Sequence, residues 1–303
     1  MSVISIIPDH YQVQYDSNLG IALQQETSLL RDAVTIKTGN GESIRFDELG
    51  DVETVDVTTR GGDTVYQDLD STQRWVRPLP AESALLRDVF DLDHLGNLVG
   101  LDGGIVSVQS AAINRTYDRR ILSGIFGTAY TGKTGTTAVA FSADMDVPVN
   151  YVPSGPPANS GMTFYKIAQA EFLLEDNLVP AEGRFLAMTA KQRLNLINDI
   201  IANHATNGFA MEWAKGGYLK DMPLLGFNVK IMPKAQLTVA SNVRSCPFWH
   251  KSGVGFGLWT DKLSFIDRMP GKRQSTQFYA ATNCGATRLD EKKVGVIYAD
   301  ESV

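Results

Sequence analysis

The chain has 303 residues, 43% hydrophobic and 20% charged, with a net charge of −6 and a pI near 5.3. This is globular composition, enough for one large domain or two modest ones with a sizeable core, and it argues against a broad basic face that grips nucleic acid. No apolar run reaches the roughly 18 residues of a membrane span, the opening MSVISIIPDHYQ lacks the basic start and long apolar core of a signal peptide, and the only cysteines, Cys246 and Cys284, fit no metal spacing and read as structural thiols in a reducing compartment.

Residues 1–34 do not form a compact unit. Pro8 interrupts an apolar start, and a helix is predicted from about Ser17 to Arg31, with Leu19, Leu23 and Leu30 on a rough stripe. Such an arm needs a neighbour to pack on. From Val34 to Pro80 the chain turns β-rich. Val34–Thr38 and Ser43–Phe46 read as strands around a Gly39-Asn40-Gly41 turn, followed by Val52–Thr59, a turn at Arg60–Asp63 and a strand at Arg74–Arg77. Large apolar residues are scarce in this ribbon, so it cannot build a core of its own. Two readings stand open: an edge hairpin of one domain, or an arm reaching across to another subunit.

Short helical turns are expected at Glu82–Phe90 and Asp93–Val99. The longest helical pattern follows, Ile105 to Phe126, with Val106, Ser110, Ile113, Tyr117, Ile121 and Ile125 on an apolar face and Asn114, Arg115, Asp118 and Arg119 between them, on a face left for solvent or partners. Thr137–Phe141 reads as a strand. The segment PVNYVPSGPPANSG, 148–161, carries four prolines and two glycines and reads as a loop or hinge. Beyond it the pattern predicts a helix from Thr163 to Leu174, a strand at Arg184–Met188, and a helix to about Ala202. That last helix opens on a Thr189/Gln192 capping box and places Leu194, Ile197 and Ile201 inward. Strands follow at Gly226–Met232, Phe248–Trp259, Leu263–Arg268, Thr276–Thr282, Ala286–Arg288 and Gly295–Tyr298.

One motif points elsewhere. Gly127-Thr-Ala-Tyr-Thr-Gly132-Lys133-Thr134 satisfies G-x-x-x-x-G-K-S/T, the phosphate loop of nucleotide hydrolases, and VIYADE at 296–301 resembles the strand that supplies a magnesium ligand. A phosphate loop needs a strand before it and a helix starting at the Lys-Thr pair, so that backbone N–H groups and the helix dipole face the phosphate. Here a helix leads in and β-branched residues follow, so the expectation is a Gly/Thr-rich turn. Asp144 and Asp146 lack a third calcium ligand, and no G-x-S-x-G elbow occurs. Lys215, Lys220 and Lys251 have no acid or base partner in sequence, and the four histidines are scattered singly. No cofactor and no enzymatic constellation is implied.

Four stretches, taken in order, resemble the major capsid proteins of tailed bacteriophages with the Hong Kong 97-like fold. They are Val13-Gln-Tyr-Asp-Ser-Asn-Leu with Leu29-Leu-Arg-Asp-Ala-Val; Asp63-Thr; Gly127-Thr-Ala-Tyr-Thr-Gly with Gly135-Thr-Thr-Ala-Val-Ala; and Gly271-Lys-Arg-Gln-Ser-Thr-Gln-Phe-Tyr with Gly285-Ala-Thr-Arg-Leu-Asp-Glu-Lys-Lys-Val. The resemblance implies an α+β chain: an N-terminal arm (1–34), an extended β-loop (35–79) lying over a neighbouring subunit, a peripheral domain (80–159) with its spine helix at 104–126, an axial domain (160–262), and a return to the peripheral domain (263–303). It also implies self-assembly as hexamers and pentamers into an icosahedral shell around double-stranded DNA bound without sequence specificity. The expected partners are other copies, a separate scaffolding protein, the portal and decoration proteins, with no membrane, in a virion assembled in the host bacterial cytoplasm. Arg60, Asp63 and Arg74 on the ribbon, and Arg115, Asp118, Arg119 and Arg120 on the helix, are the candidate inter-subunit ion-pair residues. Lys37 is the one lysine of the loop, and nothing identifies a cross-linking partner for it. The alternatives are a protein nanocompartment of the same fold and the nucleotide hydrolase.

Overall fold

The computed structural model describes residues 25–50, 52–56, 58–61, 63–64, 66–87, 101–203, 208, 212 and 223–302. The turns expected at Asp93–Val99, and most of the helix expected from Ser17, lie outside them. Inside the described range, residues 25–30 are not helical, and Arg31, the expected end, opens a 3-10 turn, Arg31–Ala33.

Three helices and three sheets make up the described fold, an α+β architecture. Helix α1 spans Leu101–Phe126, about 39 Å at 1.5 Å per residue. Helices α2, Phe164–Asp176, and α3, Ala190–Asn203, follow the Pro-rich loop. The strands are β1 Thr35–Thr38, β2 Ile44–Leu49, β3 Ser71–Val76, β4 Leu79–Arg87, β5 Ala129–Thr131, β6 Thr137–Val139, β7 Asp146–Val147, β8 Arg184–Met188, β9 Phe227–Ile231, β10 Val239–Ala240, β11 Val243–His250, β12 Val254–Met269, β13 Ser275–Arg288 and β14 Val294–Asp300. One sheet runs β1-β12-β13-β4, a second runs β7-β14-β11-β8-β9 with β10 on β11, and a third runs β2-β3-β5-β6.

Side-chain alternation along the second sheet separates two cores. Leu186, Met188, Cys246, Phe248, Ile297 and Ala299 pack on one face against Ile167, Ala170 and Leu174 of α2 and Leu196 and Ile200 of α3. Ala187, Trp249 and Val294 point the other way, toward Ile113, Tyr117, Ile121 and Ile125 of α1 and Phe256 and Leu258 of β12. Both cysteines are free and fully buried, and burial pushes their thiols up to about 12 at Cys246 and about 11 at Cys284.

Helix α1 is stitched to the first sheet along its length. Gln109 donates to the carbonyls of Phe278 and Ser83. Tyr117 donates to the backbone and side chain of Asp261, where the β12–β13 register shifts. At its end the buried Arg288 donates to the carbonyls of Ile125 and Gly127, orphan acceptors of the last turn, while Glu291 accepts from its Nε at 2.8 Å. Gly124 lies so close to β13 that an added Cβ would come within 2.6 Å of the Ala286 carbonyl carbon.

Several local expectations are corrected. Glu82–Arg87 is strand, not helix: β4 pairs antiparallel with β13 from Leu79↔Cys284 to Arg87↔Thr276, and that ladder overrides the helix preference of Glu82, Ala84, Leu85 and Leu86. Pro80 is tolerated because β4 is an edge strand. The Gly39–Gly41 turn does not close a hairpin, since β1 joins β12 in parallel while β2 joins β3. Ala286–Arg288 continues β13 rather than forming a separate strand, and Val52–Thr59 carries no ladder among its described residues.

Helix α3 opens on the expected box, with the Thr189 N–H donating to Gln192 Oε1 at 3.2 Å. Its phase differs from expectation, however. Gln192, Leu196 and Ile200 are buried and Ile197 is partly so, while Leu194 and Ile201 face outward.

The chain end is held by charge. Arg244 donates to both oxygens of Glu301, at 2.9 and 3.0 Å, and holds the carboxyl down at about 2. Released on unfolding, Glu301 titrates near 4.5, so its contribution is full above that value and is lost as the pH falls toward 2. In urea unfolding of the unassembled chain, Glu301→Gln is expected to cost about 1–2 kcal/mol at pH 6, and that difference should vanish at pH 2. A cost independent of pH contradicts the assignment.

Candidate functional site

The phosphate-loop motif folds as a hairpin turn. Helix α1 ends at Phe126, β5 takes Ala129–Thr131, and the four residues from Gly132 to Gly135 turn the chain into β6. Gly132 and Gly135 adopt left-handed φ values of +89° and +66°. The Gly132 carbonyl accepts from the Gly135 N–H at 3.1 Å and from the Trp75 indole at 2.7 Å, and Gly135 lies flat against the Trp75 ring. No helix begins at Lys133-Thr134, and both residues are exposed. The nucleotide-hydrolase alternative therefore lacks its geometry: the amides are used in a turn seated on an indole. Of the two acids in VIYADE, Asp300 ends β14 and accepts from Ser302, and Glu301 just beyond it is taken by Arg244. Among the described residues no group of three His, Cys, Asp or Glu side chains could hold a metal ion.

The seven charged candidates separate into two groups. Arg60 and Asp63 sit exposed where the ribbon turns. Arg119 is exposed on α1, its Nη2 donating to Thr116, and Arg115 is half-buried on the same helix. Arg120 is half-buried, with its Nε buried and without a hydrogen-bond partner among the described residues. The other two make their bonds inside the chain. Arg74 is buried, donating to the Leu289 carbonyl at 3.0 Å and pairing with Glu291 at 3.4 Å. Asp118 is fully buried and receives the N-terminal arm: Ser28 Oγ at 2.6 Å, the N–H groups of Leu29 and Leu30 at 3.1 and 3.0 Å, and the Gln25 amide. Within the single chain, Arg74 and Asp118 each pair intramolecularly. The face of α1 expected to meet solvent is in part a second buried face, occupied by the arm.

The arm base has further ties. Arg31 makes a bidentate pair with Asp261 and lies over the Tyr117 ring, and Asp32 pairs with Lys230 of β9 at 2.8 Å. Burial alone pushes the Asp261 carboxyl up, but the bonds from Arg31 and Tyr117 outweigh it and hold it below the ordinary range. A buried carboxylate in mid-helix has no sequence signature beyond a charged residue flanked by apolar ones, so the role of Asp118 could not be read in advance. Arg288 and Lys166 were missed for the same reason. Lys166 is fully buried with its Nζ donating toward the carbonyls of Val149, Ser160, Gly161 and Tyr298 at 2.8–3.0 Å, pinning the Pro-rich loop and β14 to α2. Burial draws its pKa down to about 8.

Beyond the base of the ribbon the chain has little to hold. Ile44, Phe46 and Val76 form a small cluster with Trp259 and Leu289. Past Leu49 and Ser71 the ladder ends, closed by Gly50 N–H to Asp70 O at 2.7 Å. The residues between expose Val52, Val55, Leu69 and Tyr66, the last at 90%. Their described charges are Glu53, Asp56, Asp63, Asp68 and Asp70 against Arg60.

Comparison with known proteins places this layout. The family described as phage capsid protein matches residues 7–301. No curated protein matches in sequence. Solved structures with similar folds include the capsid of cyanophage P-SCSP1u, at 14% identity and a TM-score of 0.69 over 96% of this chain and 93% of that one. The capsid of Ralstonia phage GP4 is similar at 12% and 0.67 over 99% and 98%, and a protein of Mycobacterium phage Che8 at 15% and 0.64 over 93% and 95%.

Two substitution results follow. Gly135→Ala is expected to destabilise by about 2 kcal/mol, through its left-handed φ and contact with Trp75, while Lys133→Ala stays within about 0.5 kcal/mol and neither variant changes nucleotide turnover from background. Urea unfolding and a phosphate-release assay decide this, and hydrolysis abolished by Lys133→Ala contradicts the turn assignment. Asp118→Ala strands four donors, at a cost of about 2–4 kcal/mol. Trypsin should then cut after Arg31 at least tenfold faster than in the parent, and an unchanged rate contradicts the anchoring role.

Proposed function

The chain belongs to the phage capsid protein family and is a structural protein of the virion shell, and from that premise we propose that it closes as hexamers and pentamers into an icosahedral shell around double-stranded DNA. The observation that carries this is the family match running over residues 7–301, supported by a ribbon that lacks a core of its own. Extended backbone with exposed Tyr66, Val55 and Val52 gains stability only when another surface covers it. A neighbouring copy is the surface that a shell provides, with many weak edges adding up because each subunit is held by several others.

The proposed division is an arm (1–34), an extended β-loop (35–79), a peripheral domain (80–159 and 263–303) and an axial domain (160–262), the last two sharing both cores through the second sheet. Arg60, Asp63, Arg115, Arg119 and Arg120 are the charged residues assigned to contacts between copies. The net charge of −6 fits a container that encloses DNA without gripping it. The role is structural rather than catalytic. Scaffolding, portal and decoration proteins are its expected partners, with assembly in the host bacterial cytoplasm. Among the described residues no helix is long and apolar enough to cross a membrane.

Electron microscopy of the expressed chain, alone and with its scaffolding partner, tests this. Closed shells of uniform diameter are expected. A chain that stays monomeric in both conditions contradicts the proposal, and closed shells that fill with protein cargo and never with DNA point to the nanocompartment instead.

A further inference from the structure

Helices α2 and α3 cover one core with their inner sides, yet both carry apolar side chains outward. On α2, Tyr165 and Phe172 stand seven residues apart on one exposed stripe, at 44% and 57% exposure, and Asp176 continues it one turn later. On α3, Leu194 and Ile201 are also seven apart, at 57% and 53%, and Lys191 precedes them on the same stripe. Equal spacing on two helices lets one stripe lie against the other, each pair of residues about 10.5 Å apart along its axis.

The charges at the helix ends are the wrong sign for each helix alone; within the chain Arg184 lies 3.8 Å from Glu175 and Lys191 Nζ donates to the Glu301 carbonyl. Helix α2 closes on Glu175 and Asp176, with no basic residue in its last turn, so anions sit at the negative end of its dipole. Helix α3 opens with Lys191 and Arg193 and no acid in its first turn, so cations sit at the positive end. Set antiparallel, the basic start of α3 meets the acidic end of α2. Side-chain charges and dipoles then both complement, and Leu194 faces Phe172 while Ile201 faces Tyr165.

The turn after α2 adds an independent observation. Val179 N–H donates to the Leu174 carbonyl and Leu178 N–H to that of Glu175, the Schellman arrangement whose left-handed position usually holds glycine. Here that position is Leu178, at φ +56° and 90% exposed. A branched side chain in a disfavoured backbone conformation, with no apolar neighbour to cover it, is accounted for by burial against another molecule.

We propose that the outer face of α3 in one copy packs antiparallel on the outer face of α2, with Leu178, in the next copy of this chain. The two faces differ, so the contact is heterologous, and, repeated head to tail with a rotation that closes, it generates a ring. This rests on the shell-forming function proposed above and supplies a contact that closes its rings.

Chains with one added cysteine, Phe172→Cys and Leu194→Cys, co-assembled in equal amounts and treated with a short bis-maleimide, test it on a denaturing gel. The native thiols are buried with raised pKa values and stay inert. Cross-linked dimers are expected in the mixture and in neither chain alone. Dimers from Leu194→Cys alone mean an isologous contact and overturn the proposal, as does an absence of cross-links in shells that microscopy shows to be intact. If no shells form at all, the functional reading fails first and this inference with it. Leu178→Gly is expected to leave the isolated chain at least as stable while raising the concentration needed for assembly about tenfold. An unchanged threshold overturns the part given to Leu178.

Discussion

The seam between α1 and β13 is the contact on which the rest of the molecule depends. Gly124 admits the Ala286 backbone at a distance that no side chain allows, so helix and strand meet in one register. Arg288, buried and shared between the helix end and Glu291, locks that register from the strand side. From this seam the sheet reaches outward through β12 and β4, the arm finds Asp118 on a second buried flank of the helix, and the hairpin turn at Gly132–Gly135 starts where the helix stops. A buried arginine is costly unless its donors are satisfied. Arg288 satisfies its donors with carbonyls that the helix end would otherwise leave orphaned.

The chain builds two dense cores and leaves other parts without one. The ribbon past Leu49, the outer stripes of α2 and α3, and Leu178 all expose apolar groups that a self-sufficient monomer would cover. Such surfaces are costly in isolation and useful in a shell, where every subunit is surrounded by copies. The fold thus separates two tasks. The seam, Lys166 and the Arg244–Glu301 pair hold the subunit rigid, while the exposed elements remain available to neighbours.

Much of this was legible in the residues. The 3.6-residue period from Val106 to Ile125 marked the long helix, whose core face runs from Ile113 onward while Val106 is exposed, and Thr189 with Gln192 marked the start of α3. The neighbours of GTAYTGKT, helix before and β-branched residues after, were enough to reject a phosphate site, although the Trp75 ring that holds the turn comes from a distant strand. What could not be read was long-range. Glu82–Arg87 has helical composition and becomes a strand because β13 offers it a ladder. Leu194 and Ile201 read as inward because periodicity alone does not say which apolar stripe of a helix meets the core; Leu196 and Ile200 do. Asp118 and Arg74 read as surface charges because nothing local shows that an arm or a strand will bury them.

In the proposed shell the exposed apolar elements of this chain are buried only between copies. Amide hydrogen exchange of the free chain and of assembled shells, followed on peptides covering the ribbon tip around Val55 and Tyr66, tests it most directly. Fast exchange is expected in the free chain and protection of at least a hundredfold in the shell, with the α1–β13 seam protected in both. Equal, fast exchange at the ribbon tip in both forms would contradict it.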